Sequence, residues 1–247
     1  MALSTQWSTR PIAAGLEKDD IHIWRAFLDD EYARPERLEA VLSTDELARA
    51  SRFVFPRDRN HFVSCRGILR SILAQYLGRP AGTIEFTYQP AGKPGLRKRA
   101  GDRSISFNLS HSSGLAVYAF SLDREVGIDV EAVRPNVPGE ELAARFFSAS
   151  ELAEIRRLPA ERRNEAFFAC WARKEAYVKA RGAGLGMPLD SFSVPPAHGS
   201  VEELTASDGR YWMVRSFHPE DGYVAAVAAE GTGLKLHLWD WMACENW

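Results

Sequence analysis

Apolar and polar positions along this chain follow two rhythms, one of period two and one near 3.6. Residues 1–20 follow neither and read as loosely ordered. Residues 21–28 alternate, with Ile21 and Ile23 on one face, and predict a first strand. Ser43 and Glu46 stand at capping-box spacing before a short helix. Pro56 suits the first turn of a longer helix that should stop near Gly78 and Pro80. Its apolar stripe holds Phe62, Cys65, Leu69, Ile72 and Tyr76, while Arg59, Arg66 and Arg70 share another stripe. Residues 84–88 predict a strand and Ala91-Gly92-Lys93-Pro94 a turn. Residues 104–111 alternate strictly, with Ile105, Phe107 and Leu109 on one side and Ser104, Ser106, Asn108 and Ser110 on the other. Strands over 115–121 and 126–131 follow, joined by a turn at Asp123-Arg124.

A second run repeats the first in outline. Ser148 and Glu151 make another capping box, and a helix follows. Next comes a helix ending in a glycine-rich exit, CWARKEAYVKARGAGLGMPL, from Cys170 to Leu189. Phe167, Cys170, Trp171, Tyr177 and Val178 form its apolar stripe; Phe168, Ala172, Glu175 and Lys179 fall on another. Gly182 sits where a left-handed C-terminal cap belongs. Strands are expected near 192–194, 211–217, 223–228 and 234–239. The order predicts an α+β fold of two similar halves joined near Asp123, an N-terminal half over 1–122 and a C-terminal half over 123–247.

Composition narrows the classes. The chain has 247 residues, 45% hydrophobic and 26% charged, which suits a soluble globular protein. A net charge of -2 leaves no general basic surplus, so nucleic acid is not an expected partner and any anion site must be local. Cys65, Cys170 and Cys244 show no CxxC pairing; the first two lie in apolar helical patterns, as reduced buried thiols would. The start of the chain lacks a basic and apolar leader pattern, and no apolar run reaches membrane-spanning length. A cytoplasmic protein with no membrane partner is the expectation.

The chemistry concentrates in VGIDVE, residues 126–131. Strand alternation points Asp129 and Glu131 the same way, roughly 7 Å apart, with Ile128 and Val130 toward a core. Two carboxylates on one face of an apolar strand repel, so they need open water or a cation. An exposed edge satisfies the first; a magnesium site of hard oxygen ligands satisfies the second, and Glu175 would complete it. Glu175 and Lys179, four apart on one helix, read alone as a solvated ion pair. The Arg59–Arg66–Arg70 stripe is a solvated basic face or a phosphate clamp. Lys93 at its turn and His111 at its strand end have ordinary structural explanations. There is no Cys/His set for zinc and no GxxxxGK[ST] or GxGxxG loop opening a helix.

Taken together, GKP, FNLSHSSG, VGIDVE, RFFSASE and WARKEAYVKARGAGLGMPL resemble, in order and spacing, the phosphopantetheinyl transferases of the surfactin-synthetase type. The motifs run from about Ser43 to Val194, most of the chain. The resemblance implies a pseudo-dimer of two similar α+β halves with the active site in the cleft between them. It implies transfer of the 4'-phosphopantetheine arm of coenzyme A, the co-substrate, to a serine of an apo acyl- or peptidyl-carrier protein, releasing adenosine 3',5'-bisphosphate. It also implies dependence on magnesium, or manganese in its place. By position, Asp129, Glu131 and Glu175 match the family's metal carboxylates, and Glu175 the base for the carrier serine. Lys179 matches the lysine that contacts the phosphates. His111 and Lys93 match 3'-phosphate contacts, with Ser110 beside them. Some members carry a 3'-phosphate arginine where gapless alignment puts His61; others use one that matches Arg66. Arg66, with Arg59 beside it, is the expectation here. Because one chain supplies both halves, an active monomer is expected. Two other classes compete: a noncatalytic coenzyme A or carrier-binding module, which predicts a missing carboxylate, and a different magnesium phosphotransferase, which predicts a phosphate loop.

Overall fold

The computed structural model describes residues 7–9, 15–97, 99–194 and 201–242. The loosely ordered start falls mostly outside the described residues, and Cys244 wholly so. The strands in chain order are β1 (Ser8–Thr9), β2 (Asp20–Phe27), β3 (Phe86–Tyr88), β4 (Pro94–Leu96), β5 (Ile105–Ser112), β6 (Leu115–Leu122), β7 (Val126–Ala132), β8 (Val201–Thr205), β9 (Tyr211–Phe217), β10 (Tyr223–Glu230) and β11 (Lys235–Asp240). The helices are α1 (Pro35–Leu38), α2 (Thr44–Ala50), α3 (Pro56–Leu77), α4 (Gly139–Phe146), α5 (Ala149–Arg157) and α6 (Ala160–Arg181).

Two sheets stack face to face. The first has the order β1-β11-β2-β6-β5, the second β7-β10-β9-β8. Alternation explains how they meet. Leu115, Val117 and Ala119 of β6 pack with Ile21 and Ile23 against Val126, Ile128 and Val130 of β7 and Ala225 and Val227 of β10. The opposite face of β6, with Ala116, Tyr118 and Phe120, packs under Ile68, Leu69 and Ile72 of α3. On the far side, Ala172, Ala176 and Ala180 of α6 cover Trp212, Val214, Ala226 and Ala228. The result is helix, sheet, sheet, helix, with one core between the sheets, one under α3, one under α6 and a fourth among α4, α5 and the first half of α6. Both capping boxes form, at Ser43/Glu46 and Ser148/Glu151. Gly78 and Gly182 take the left-handed conformation that ends α3 and α6.

One expected strand is absent, β1, β4 and β8 form where none was expected, and the final strand pairs outside its own half. The segment 192–194 is not a strand. It follows a 3₁₀ turn, Leu189–Ser191. The buried Lys174 ammonium takes the carbonyls of Leu189 and Phe192, at 2.7 and 2.6 Å, and Glu151 accepts the Val194 amide at 2.5 Å. Side-chain partners therefore use the groups that a ladder would need. The fourth strand of that sheet is instead β8. The final strand forms where expected, but it pairs in parallel with β2 in the first sheet. The turn at Asp123 takes a left-handed φ of 56° and links the sheets.

Candidate active site

The site forms where β7, β5 and α6 meet. Gly127 is the reason they come so close. A Cβ there would collide with the Ala176 carbonyl and the Ala180 amide, so only glycine lets the backbone of α6 rest on the strand. Gly127, Asp129 and Glu131 share one face of β7. Glu175 and Lys179 flank Ala176 and Ala180 along α6. Close contact at the glycine therefore brings both pairs of charged side chains together. From the other side, the polar face of β5 reaches β7. Asn108 accepts the Ile128 amide at 2.9 Å, and the Ser112 hydroxyl accepts the Ala132 amide at 3.1 Å.

Asp129 is buried, at 4% relative exposure, and takes the centre. Its Oδ1 accepts from Lys179 Nζ at 2.6 Å and from Ser110 Oγ at 2.9 Å. Lys179 also donates to Ser110 at 3.1 Å. Asp129 Oδ2 is buried and has no hydrogen-bond partner among the described residues. Burial pushes the Glu131 carboxyl up to about 7, with the Asp129 charge adding to it. Burial first, then Asp129, also raises Glu175, while Lys179 works against the shift. The Asp129 charge thus acts on both Glu131 and Glu175, offset by Lys179 and, at Glu131, by Arg134; three carboxylates against two cations leave net negative charge in a desolvated place.

A divalent cation fits this donor set. The ligands are hard oxygens, one of them an unpartnered buried oxygen, and the charge the site lacks is positive. The cluster of ring nitrogens and carboxylate oxygens within 4.8 Å of one another lies elsewhere, at Asp20, His22 and His237.

The other expected site residues are spread more widely. His111 lies exposed at the end of β5. Neighbouring atoms nonetheless desolvate its ring enough to lower its pKa, and nearby His61 and Lys179 add to that. Arg66 is buried against Glu46 at 2.6 Å and reaches Tyr88 at 3.3 Å. Arg70 shares Glu46 at 2.6 Å, so one carboxylate faces two guanidiniums. Arg59 pairs with Glu39 at 2.6 Å. Lys93 donates to Glu125 at 2.8 Å and to the carbonyls of Val126 and Ala180 at 3.2 Å, pinning β7 to the end of α6. The structure therefore brings Ser110, Asp129, Glu131, Glu175 and Lys179 together, with exposed His111 near enough to feel the Lys179 charge. It keeps Arg59, Arg66 and Lys93 in ion pairs of their own. His61, which donates to Asp29 at 2.8 Å, stands nearer to His111 in electrostatic terms.

Sequence reading missed Gly127, Asn108 and Ser112 as parts of the site. The alternation of β5 did place Asn108 and Ser110 on one polar face. Nothing in that pattern distinguished solvent from a second sheet.

Comparison with known proteins gives the family. Residues 125–228 match the model of the "4'-phosphopantetheinyl transferase superfamily". Residues 32–122 match "4'-phosphopantetheinyl transferase, N-terminal". The chain is 41% identical over 237 residues to 4'-phosphopantetheinyl transferase HetI of Nostoc sp., covering 96% of this chain and 99% of that one. The chain belongs to the 4'-phosphopantetheinyl transferase family. It is also 32% identical to 4'-phosphopantetheinyl transferase psf-1 of Bacillus pumilus over 222 residues, 89% of this chain and 92% of that one. With 4'-phosphopantetheinyl transferase Sfp of Bacillus subtilis it shares 28% identity over 195 residues, 78% and 84% of the two chains. This phosphopantetheinyl transferase is an enzyme that moves the phosphopantetheine arm of coenzyme A to a carrier protein. No helix among the described residues is long and apolar enough to cross a membrane.

Proposed function

We propose that Asp129, Glu131 and Glu175 hold magnesium, or manganese in its place, and that transfer to an apo acyl- or peptidyl-carrier serine takes place beside them. The unpartnered buried oxygen of Asp129, within a desolvated group of three carboxylates, is the observation that carries this reading. Held by these three carboxylates, a cation would supply charge to neutralise pyrophosphate oxygens and favour the leaving group.

The chain's own groups divide the remaining work. Glu175, its basicity raised by burial, accepts the serine proton as the serine oxygen bonds to the phosphorus bearing the pantetheine arm. The bond from that phosphorus to the bridging oxygen breaks, and adenosine 3',5'-bisphosphate leaves with the electron pair. Lys179 exchanges part of its bond to Asp129 for phosphate oxygens and stabilises their developing charge. Ser110 holds Asp129 and Lys179 in register. His111 meets the 3'-phosphate. Its lowered pKa leaves it ready to gain a proton once an anion arrives.

Lys93, Arg59 and Arg66 complete the phosphate contacts by exchanging a carboxylate partner for phosphate. Arg66 and Arg70 already carry one positive charge more than Glu46 offsets. The natural boundary between the halves is the turn at Asp123, with β11 returning to the first sheet. A monomer in the cytoplasm is the working form. A noncatalytic binding module predicts a missing carboxylate, and Asp129, Glu131 and Glu175 are all present.

The test is to incubate the protein with coenzyme A and an apo carrier, then weigh the carrier. The mass of one phosphopantetheine should be added with magnesium or manganese, and not in excess chelator. Full transfer in chelator would remove the metal from the mechanism.

A further inference from the structure

A second group of ligating side chains lies on the opposite face of the first sheet. Asp20 and His22 are two apart on β2, so they point the same way. His237 of β11 sits directly beside His22 in the parallel register. His237 Nε2 is 3.0 Å from Asp20 Oδ1, and His22 Nε2 is 4.0 Å from Asp20 Oδ2. The ligating atoms of all three lie within 4.8 Å of one another. A four-coordinate zinc with arms of about 2.0–2.1 Å holds its ligand atoms about 3.3 Å apart. Small side-chain adjustments bring these three to that spacing.

The outer contacts are those a ligated imidazole uses. His22 Nδ1 meets the Tyr76 hydroxyl at 2.7 Å, and that hydroxyl also accepts from Trp24 Nε1 at 3.0 Å. With the Nδ1 proton given to Tyr76, the Nε2 lone pair faces Asp20 and His237. The Glu17 amide donates to Asp20 Oδ2 at 3.3 Å and orients the carboxylate. His22 is only 1% exposed, whereas the His237 side chain is 37% exposed, so the group is walled on one side and open on the other. The open side leaves room for a water as fourth ligand.

We propose that Asp20, His22 and His237 form a zinc-class metal site that clasps β11 to β2. Two imidazoles and one carboxylate favour zinc and its late first-row neighbours over magnesium, which takes oxygen ligands. The site is separate from the carboxylate centre. Asp20 and His22 lie on the α3 side of the first sheet, with Trp24 and Trp239, whereas Asp129 lies on the α6 side of the second sheet, beside Ala226. His22 also pairs with Phe120, and His111 with Ala116, so the cluster lies toward the other end of the strands. Because β2 and β11 come from opposite ends of the sequence, a metal bridging them fixes the last described strand to the first half.

Zinc retention is measured by dialysis against excess magnesium, and cobalt is used as an optical probe. The wild type should keep one equivalent of zinc, and cobalt should give the intense visible bands of a four-coordinate site with nitrogen ligands. Both should vanish in His237→Ala, which removes an exposed side chain and leaves transfer in magnesium unchanged. Tyr76→Phe keeps the shape and removes the hydroxyl, and should weaken zinc binding about 10–100-fold. Glu131→Gln should bind zinc as the wild type does. Zinc should raise the melting temperature of the wild type and not that of His237→Ala. Failure to retain zinc, or retention lost in Glu131→Gln but kept in His237→Ala, overturns the proposal.

Discussion

Glu175 is a residue whose surroundings change its chemistry. On a bare helix it would pair with Lys179 four residues on, for about 0.2–0.5 kcal/mol. In the folded protein Lys179 turns to Asp129 at 2.6 Å, and burial beside that carboxylate raises Glu175. Glu175→Gln keeps the shape and removes the base. At saturating magnesium kcat should fall at least about a hundredfold while the melting temperature stays near native. A folded Glu175→Gln enzyme that modifies its carrier at the wild-type rate would contradict the assignment. His111 makes a second prediction at this scale. Desolvation holds its pKa low in the free enzyme, and the neighbouring His61 and Lys179 charges add to that. A 3'-phosphate alongside should raise it. Imidazole titration by NMR should show the rise with coenzyme A and a much smaller one with dephospho-coenzyme A. Equal shifts with the two would place the 3'-phosphate elsewhere.

Among the elements, the contact of α6 with β7 decides whether there is a site at all. Asp129 and Glu131 belong to a strand, Glu175 and Lys179 to a helix, and only the bare backbone of Gly127 lets the two touch. Gly127→Ala must push the helix away by its own side-chain volume. Overpacking of this kind costs about 1–3 kcal/mol. The melting temperature should drop, and kcat should fall further than the folded fraction does, because both charged pairs separate. Proportional losses of activity and folded protein would mean that the contact is purely structural. The buried Lys174–Glu151 pair, at 2.9 Å, acts in a comparable way one turn earlier on α6. It anchors the 189–194 segment through carbonyls and an amide that a strand would otherwise have used.

For the whole molecule, the carboxylate cluster couples stability to pH. Glu131 has its pKa raised from 4.5 to about 7 by folding. A carboxyl raised in this way favours the folded state when protonated. Its contribution is therefore complete below about pH 4.5 and is lost as pH rises through about 7. A cation in the cluster reverses that loss. The rise in melting temperature on adding magnesium should grow from pH 5 to about pH 8, and Glu131→Gln should flatten the trend. A magnesium effect independent of pH would argue against the cluster as the binding place. Since β7 and α6 come from the same chain as β5, the site needs no second subunit. Light scattering should show a monomer, with activity proportional to enzyme concentration.

Local rules carried the sequence a long way. Period-two and helical rhythms, two capping boxes and two terminal glycines marked most of the elements, because those signals depend only on neighbours in the chain. The order of motifs identified the family, and the alternation of VGIDVE put Asp129 and Glu131 on one face. Pairings between distant segments were not legible. The pattern of β5 could not show that its polar face meets a second sheet rather than water. The arginine stripe of α3 read equally as a solvated face or a phosphate clamp, whereas Glu46, twenty residues from Arg66, holds Arg66 and Arg70 within the protein. Nor could the sequence place β11 beside β2, and with it His237 beside His22, since a ladder joins strands without regard to their separation along the chain. Periodicity fixes which way a side chain points from its own element; what it meets there depends on packing between elements, which only the tertiary structure decided.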